Sequence, residues 1–287
     1  MQIKKAVITA AGSGQRTLPM QMLIDQQSAE RSVLSLVVGE AVRAGVSDVC
    51  IVVCPGDEAA YSKLLANDAV RLTFVEQKEP GGYAQAVFCA QEFVRDEPFL
   101  HCVGDHIYVG PESGGSAKRL VDAASAADCS ISTVQITRES LLPFYGAVGG
   151  NPVPGKSGFY RVDTVLEKPT PTEAEQRLIV PGLRSGQYLC FYGMHVLTPA
   201  IFAILSVLLA GSAGRPSLSC ALAVLAQREQ YLAMIQRGQR FDVGVKYGLF
   251  TAQLALALQG KDRDRVLTEL IQVLAAREMF SERGTGE

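Results

Sequence analysis

The stretch that decides the fold is KAVITAAGSGQR, residues 5–16, in which a short apolar run passes directly into a glycine-rich loop. Further apolar runs of strand length follow at residues 48–54, 71–77 and 98–105, and segments of helical periodicity lie between them. Such alternation is typical of parallel βαβ units. We therefore predict a Rossmann-like, three-layer α/β/α fold that binds its ligands at the carboxyl edge of the sheet.

The second half of the chain is less regular. Glycine and proline at turn spacing between short β-type runs predict a small β insertion at about residues 140–170. Another strand is predicted at residues 187–198, and helices follow from Pro199 onward. We expect one main domain over residues 1–260, with a C-terminal helix and tail over residues 261–287.

The composition excludes several classes of partner. Lys and Arg total 27 residues against 29 Asp and Glu, which gives the 287-residue chain a formal net charge of −2. Without a basic excess the chain cannot neutralise a nucleic-acid backbone or an anionic membrane, so we expect neither as a partner. The apolar stretch at residues 200–210 is shorter than the roughly 20 residues that span a bilayer, and we interpret it as a candidate contact in a homo-oligomer.

The cysteines and the N-terminus indicate where the protein resides. Most of the seven cysteines lie in apolar runs and no CxxC pair occurs, so we expect buried thiols in a reducing compartment. The N-terminus shows no long apolar segment followed by a cleavage site. We therefore expect a cytoplasmic protein.

The glycine-rich loop is a candidate anion site. Its glycines allow close approach of the backbone to a ligand, and its N–H groups together with Arg16 suit a small phosphate. The loop lacks the third glycine of a dinucleotide-binding motif and the lysine of a P-loop. A tight turn between strand and helix is the structural alternative.

Two aspartates are candidate metal ligands. Asp105 follows a strand expected in the middle of the sheet, where a carboxylate is costly unless it binds something. Asp242 also ends a predicted strand, and Mg²⁺ is usually held by one or two carboxylates together with phosphates. We predict that both strands end at one sheet edge, so that the aspartates share one cation. A helix cap or turn carboxylate is the alternative for each.

Two further segments place polar groups after strands. Gln77 ends the third predicted strand shortly before Gly82, and an amide that both donates and accepts suits the edge of a nucleobase. Lys168 follows another strand and is a candidate phosphate contact, although an isolated lysine is usually a solvated surface residue. The chain carries no nucleophile signature, so we expect no covalent catalysis.

In their order along the chain, these motifs resemble the sugar-phosphate nucleotidylyltransferases, most closely the bacterial UTP:glucose-1-phosphate uridylyltransferases. The resemblance runs from KAVITAAGSGQRTLP (5–19) through EQKEPGGYAQAVFCA (76–90), DEPFLHCVGD (96–105) and VLEKPTP (165–171) to RFDVGVKYGLF (240–250). It implies a mixed sheet of the nucleotidyltransferase, GT-A-like type. It also implies transfer of a nucleotidyl group, UMP favoured, from a nucleoside triphosphate to a sugar-1-phosphate, glucose-1-phosphate favoured. Mg²⁺ would be the cofactor and pyrophosphate the product.

The resemblance also implies a role for individual residues. The implied nucleotide site consists of Ala11, Gly12, Gly14, Gln77 and Gly82. The implied sugar site consists of Gly146, Glu167, Lys168 and Gly193. The implied catalytic set consists of Arg16 at the β- and γ-phosphates, Lys168 at the sugar phosphate, and the magnesium ligands Asp105 and Asp242.

The chain departs from the family pattern at three places. The segment after Arg16 lacks the family's lysine on the reacting phosphates, and Arg31 is the only cation of residues 17–33. The family's GDD or GDN reads Gly104-Asp105-His106, and an expected acidic stretch reads GRPSLSCAL (214–222). Arg31 either replaces the lysine or is a solvated residue before a helix. Two alternatives follow: a nucleotide- or sugar-nucleotide-binding protein with weak or no turnover, and a cytidylyl- or other transferase on the same fold.

Overall fold

The computed structural model of the chain describes residues 1–12, 16–66, 70–111, 114–211 and 215–283. The strands in these ranges are β1 (Lys5–Ala10), β2 (Met22–Ile24), β3 (Glu30–Ser32), β4 (Asp48–Val53), β5 (Arg71–Glu76), β6 (Phe99–Val103), β7 (His106–Val109), β8 (Ser130–Arg138), β9 (Gly146–Pro152), β10 (Phe159–Glu167), β11 (Gln187–Leu197), β12 (Tyr231–Ile235) and β13 (Gln239–Asp242). The α-helices are α1 (Val33–Arg43), α2 (Glu58–Leu64), α3 (Tyr83–Cys89), α4 (Gln91–Val94), α5 (Gly115–Ala127), α6 (Pro171–Arg177), α7 (Ala200–Gly211), α8 (Leu218–Arg228), α9 (Gly248–Leu258) and α10 (Arg263–Arg283).

The central sheet has nine strands in the order β5-β4-β1-β6-β11-β8-β12-β10-β9. The first four strands of this order are mutually parallel, as the alternation of apolar runs and helices predicts. Strand β11 then runs antiparallel to both β6 and β8, and the pair β9 and β10 is antiparallel as well. The predicted mixed α/β fold is thus confirmed, and the β-rich region near residues 146–167 extends the same sheet at its edge.

The sheet is covered by helices on both faces because its central strands are apolar on both sides. In β1, Ile8 faces a core that includes Leu34 of α1 and Leu120 of α5. The neighbouring Val7 faces a second core that includes Phe202 of α7. Successive strand residues point to opposite faces, so a continuous apolar run fills both layers. Burying a side chain such as Ile8 stabilises the fold by about 2 kcal/mol.

Two short antiparallel ribbons lie outside the central sheet, and the alternation pattern did not predict them. Strands β2 and β3 form one ribbon before α1. Strands β7 and β13 form the other, with Asp242 directly opposite His106. A separate small core, which includes Ile107 and Val243, supports this second ribbon. The ribbon fixes the relation between two segments that are far apart in sequence.

The cysteines agree with the expectation of buried, unpaired thiols. All seven cysteines are unpaired thiols, and five of them are buried. Burial raises the pKa of the Cys50 thiol to about 12, so this residue is an inert packing group. Within the described ranges, no helix combines the length and the apolar character that crossing a membrane requires.

Candidate active site

The first of two adjoining clefts, called here the main cleft, lies at the carboxyl ends of β1, β5 and β6. It has a volume of about 310 Å³. Because these strands are parallel, the loops that follow them meet at one edge of the sheet. Its walls include four of the residues predicted to bind a nucleotide, together with one predicted metal ligand: Ala11, Gly12, Gln77, Gly82 and Asp105. Gly14, also part of the predicted nucleotide site, lies outside the described residues.

Gln77 and Gly82 are held together in the wall of the main cleft. The side-chain amide of Gln77 is buried, and its Nε2 donates to the carbonyl oxygen of Gly82 at 3.0 Å and to Gln85. Gly82 has a φ of +92°, a conformation that favours glycine over any residue with a side chain. These bonds use the N–H donors of Gln77, which leaves its carbonyl oxygen as the group suited to a ligand donor.

The structure brings Asp105 and Asp242 together, as predicted. Their carboxylates and a ring nitrogen of His106 all lie within 4.8 Å of one another, which makes the three residues a candidate metal centre. The ribbon of β7 and β13, rather than the central sheet, causes this proximity, so the predicted reason was wrong. Asp242 is oriented further by Gly244, whose N–H donates to Oδ1 at 2.8 Å.

Asp105 is ionised at neutral pH. Burial opposes its ionisation, but the hydrogen bond and electrostatic attraction of His106 outweigh burial, with a smaller contribution from Arg240, and hold the pKa of Asp105 below its ordinary value. The hydrogen bond joins Nδ1 of His106 to Oδ1 of Asp105 at 2.8 Å. The cluster therefore presents negative charge to a cation.

A second cleft, called here the side cleft, adjoins the main cleft and has a volume of about 120 Å³. Tyr83 and Val103 line both clefts, so the two spaces share a wall. Three of the residues predicted for sugar binding line the side cleft: Gly146, Glu167 and Gly193. The structure therefore places the predicted nucleotide and sugar residues in neighbouring spaces, with Asp105 and His106 beside them.

Glycine is required at two positions of the side cleft. A Cβ atom on Gly146 would lie 2.5 Å from Oγ of Ser219, and Gly193 has a φ of +92°. At the first position a Cβ would collide with protein atoms, and at the second the backbone conformation favours glycine. Glu167 accepts a hydrogen bond from the Ser219 hydroxyl, which fixes one carboxylate oxygen.

Tyr83, in the wall shared by both clefts, is held by a buried histidine. Its Oη lies 2.6 Å from Nε2 of His101, and Nδ1 of His101 lies 2.9 Å from the carbonyl oxygen of Val7. A carbonyl only accepts hydrogen bonds, so Nδ1 carries the proton and Nε2 accepts from Tyr83. Burial lowers the pKa of His101 to about 4, which keeps its ring neutral. No motif in the sequence points to a role for either residue.

Two of the predicted phosphate-binding cations do not line either cleft in this structure. Arg16 forms an ion pair with Asp57 on the loop after β4. Lys168 is exposed, with a φ of +46°, and its backbone N–H donates to Tyr145 at 3.2 Å. Their roles at phosphates stay predictions.

Two arginines without a predicted role line the clefts. Arg215 lines the main cleft, and its Cβ lies 3.6 Å from the position of a Cβ on Gly82. Arg240 lines the side cleft, where its guanidinium lies 4.0 Å from the ring centroid of Tyr145. Arg240 stands two residues before Asp242, a spacing that could have drawn attention to it. Arg215 had no such signal, because only the fold brings the segment before α8 to the main cleft.

The chain belongs to the nucleotidyl transferase family, whose model matches residues 5–259. The resemblance inferred from the motifs is therefore confirmed, and the protein is a nucleotidyltransferase. It is 29% identical over 293 residues to a UTP–glucose-1-phosphate uridylyltransferase of Bacillus subtilis (strain 168), an alignment that covers 93% of this chain and 95% of that protein. It is 30% identical over 304 residues to UTP–glucose-1-phosphate uridylyltransferase 2 of Staphylococcus saprophyticus, with 95% and 98% covered.

Solved structures share the fold. A UDP-glucose pyrophosphorylase from Acinetobacter baumannii superposes with a TM-score of 0.73 at 24% identity, covering 95% of this chain and all of that chain. A UDP-glucose pyrophosphorylase complexed with UDP-glucose superposes with a TM-score of 0.72 at 24% identity, covering 88% of this chain and 98% of that chain. At this identity the likeness establishes the architecture.

Proposed function

We propose that this protein transfers the uridylyl group of UTP to a sugar-1-phosphate, with glucose-1-phosphate as the favoured acceptor, and releases pyrophosphate. The observation that carries the proposal is the pair of adjoining clefts beside one acidic cluster, because group transfer requires two substrates to meet at a charged centre. The uridylyltransferases of B. subtilis and S. saprophyticus, aligned over almost their whole length, support this choice of substrates.

The main cleft is the proposed UTP site. The carbonyl oxygen of Gln77 suits the N–H of a uracil ring, and the glycine at position 82 lets a flat base approach the backbone. Ala11 and Gly12 line the same cleft directly after β1, where backbone N–H groups suit phosphates. We assign Gly14 to the same phosphate-binding loop.

Asp105 and Asp242 fit a divalent cation, and we propose Mg²⁺. Two carboxylates within 4.8 Å, one of them with a lowered pKa, are the donors that Mg²⁺ prefers in phosphate chemistry. When bound, Mg²⁺ would neutralise part of the triphosphate charge. The carboxylates of this chain would hold the ion beside both clefts and remain ionised throughout.

The reaction needs no protein nucleophile. An oxygen of the sugar phosphate forms a bond to the α-phosphorus of UTP, while the bond between that phosphorus and the bridging oxygen of pyrophosphate breaks. The electron pair of the broken bond leaves with pyrophosphate. The protein contributes by aligning the two phosphates and by neutralising charge.

Arg215 is the described cation best placed to take over from the missing lysine. It lines the main cleft, and an arginine can grip phosphate oxygens at two points. Arg31, the replacement considered from the sequence, instead lies 3.9 Å from Asp25 and donates to Ser35 from strand β3. We propose that Arg215 contacts the triphosphate or the incoming phosphate, and that Arg16 reaches the β- and γ-phosphates once Asp57 releases it.

The side cleft is the proposed sugar site. Gly146 and Gly193 let the backbone approach the sugar, while Glu167 offers an acceptor for its hydroxyl groups. Lys168 directly follows Glu167 and would act as a point charge at the sugar phosphate. Arg240, stacked on Tyr145, forms another wall of this space.

The proposed function also bears on the domain boundaries and the cellular compartment of the protein. Residues 1–260 would form the catalytic unit, and residues 261–287 an appended helix and tail. The seven unpaired cysteines support a reducing compartment, and we place the protein in the cytoplasm. Whether it forms homo-oligomers through the α7 region is a separate proposal, which sedimentation of the purified protein tests.

Release of pyrophosphate tests the proposed function directly. Four nucleoside triphosphates are each combined with a panel of sugar-1-phosphates, with Mg²⁺ and in a metal-free blank. We expect UTP with glucose-1-phosphate to give the highest rate, and the Asp105→Asn variant to fall to the blank. Pyrophosphate release at the blank level across the whole panel, with UTP still bound in a thermal-shift assay, would instead establish a binding protein. Preference for CTP would establish the cytidylyltransferase alternative.

A further inference from the structure

We propose that His106 is a third protein ligand of the metal held by Asp105 and Asp242, and that it shifts the preference of this centre from Mg²⁺ toward Co²⁺ and Mn²⁺. The inference rests on the proposed function, because it concerns the same metal centre. It goes beyond that function in assigning a ligand and a metal preference to a position where the family pattern has an acid or an amide.

The backbone places His106 at the centre. His106 and Asp242 are directly opposite each other in the antiparallel ribbon of β7 and β13. Opposite residues of such a ladder have side chains on the same face with Cβ atoms about 5 Å apart. The ladder continues where the N–H of Val243 donates to the carbonyl oxygen of Asp105 at 3.0 Å. All three donor side chains therefore stand on a hydrogen-bonded frame.

The imidazole is held in place before any metal binds. Its side chain is 13% exposed, and its ring stacks on Tyr108 with centroids 6.4 Å apart. On the other side, Gly193 lies against the ring, at a distance where a Cβ would be in van der Waals contact with Cδ2 of His106, 3.6 Å away. A preorganised ligand loses little conformational entropy when a metal binds.

The donor set decides which metal such a centre favours. Two carboxylates alone are hard oxygen ligands and suit Mg²⁺. A neutral imidazole offers one nitrogen lone pair, which first-row transition metals bind more strongly than Mg²⁺ does. The presence of His106 within 4.8 Å of both carboxylates therefore gives the centre a mixed nitrogen and oxygen donor set. At a given site with nitrogen and oxygen ligands, Co²⁺ binds more tightly than Mn²⁺.

Metal titrations of the full-length protein test the inference. Mg²⁺, Mn²⁺ and Co²⁺ are each added alone, and their affinities are measured by calorimetry for the wild type and for His106→Asn. We expect the wild type to bind Co²⁺ at least about tenfold more tightly than Mg²⁺. We expect His106→Asn to weaken Co²⁺ binding by about tenfold or more and Mg²⁺ binding by less than about threefold. The matched control, Asp242→Asn, should weaken both ions.

A spectroscopic measurement on the wild type makes the test independent of the variant's folding. Pulsed electron paramagnetic resonance of bound Mn²⁺ should show coupling to a ¹⁴N nucleus, and His106→Asn should lose that coupling. Absence of nitrogen coupling in the wild type, or equal weakening of Mg²⁺ and Co²⁺ in His106→Asn, would overturn the inference.

The two proposals fail in different ways. Turnover of UTP and glucose-1-phosphate without nitrogen coupling would overturn the role of His106 and leave the function standing. Nitrogen coupling without turnover on any sugar phosphate would support the ligand and overturn the function.

Discussion

Lowering the pH from 7 to 5 charges a histidine in the unfolded chain, whereas His101 stays neutral in the folded protein. His101 is fully buried, and burial lowers its pKa from 6.5 to about 4, although its hydrogen bond to Val7 acts in the opposite direction. Between pH 4 and pH 6.5, the unfolded state therefore binds more protons at this histidine than the folded state does. The contribution of His101 to the free energy of unfolding is therefore largest above pH 6.5 and decreases as the pH falls toward 4.

The size of this effect follows from the two pKa values. Each pKa unit corresponds to about 1.4 kcal/mol, so His101 accounts for about 3 kcal/mol over the whole window and about 2 kcal/mol between pH 7 and pH 5. His195, which is also buried and has a pKa well below its ordinary value, contributes in the same direction. Asp48 does not interfere, because Arg71 lowers its pKa to about 2, outside the window.

Urea unfolding of the wild type and of His101→Gln at pH 7, 6 and 5 measures the effect. We expect His101→Gln to be less stable at pH 7, because Tyr83 and Val7 lose their shared partner. Between pH 7 and pH 5, however, it should lose about 2 kcal/mol less than the wild type. An equal loss in both proteins would refute the assignment of a neutral, buried His101.

Four substitutions, one of them a control, test other parts of the structure. Arg215→Ala should lower kcat/KM about ten- to a hundredfold, because a charge-assisted hydrogen bond contributes about 1.5–3 kcal/mol. The control Arg31→Ala should change kcat/KM less than about threefold. Equal effects of the two substitutions in steady-state assays would contradict the role of Arg215. Gly146→Ala should raise the KM for the sugar phosphate more than that for UTP, because its Cβ would lie 2.5 Å from Oγ of Ser219; an unchanged KM would argue against the side cleft as the sugar site. Ser217→Ala removes the side chain that caps the N-terminus of α8. In urea unfolding, this variant should have a free energy of unfolding about 1 kcal/mol lower than the wild type. An unchanged free energy would show that the cap is dispensable.

The sequence by itself predicted the parallel strands in the first half of the chain and the edge of the sheet at which the candidate site lies. The structure has strands within about one residue of those predicted at 5–10, 48–54 and 71–77. These strands could be predicted because a short apolar run bounded by turn residues is a local sequence pattern. Gln77 and Gly82 could be predicted together because both belong to one short loop after a strand, and the structure places both in the wall of the main cleft. The proximity of Asp105 and Asp242 could be predicted because each follows or ends a strand, although a ribbon and not the expected sheet edge joins them.

Only the tertiary structure decided which charged side chains meet. Arg16 stands beside the predicted phosphate loop in sequence, yet folding pairs it with Asp57, 41 residues away. Arg215 lines the main cleft from the segment before α8, and His106 joins Asp242 because two distant strands form a ribbon. Local patterns encode strands and helices through backbone and apolar periodicity, whereas the partner of a surface charge depends on which distant segments fold against it.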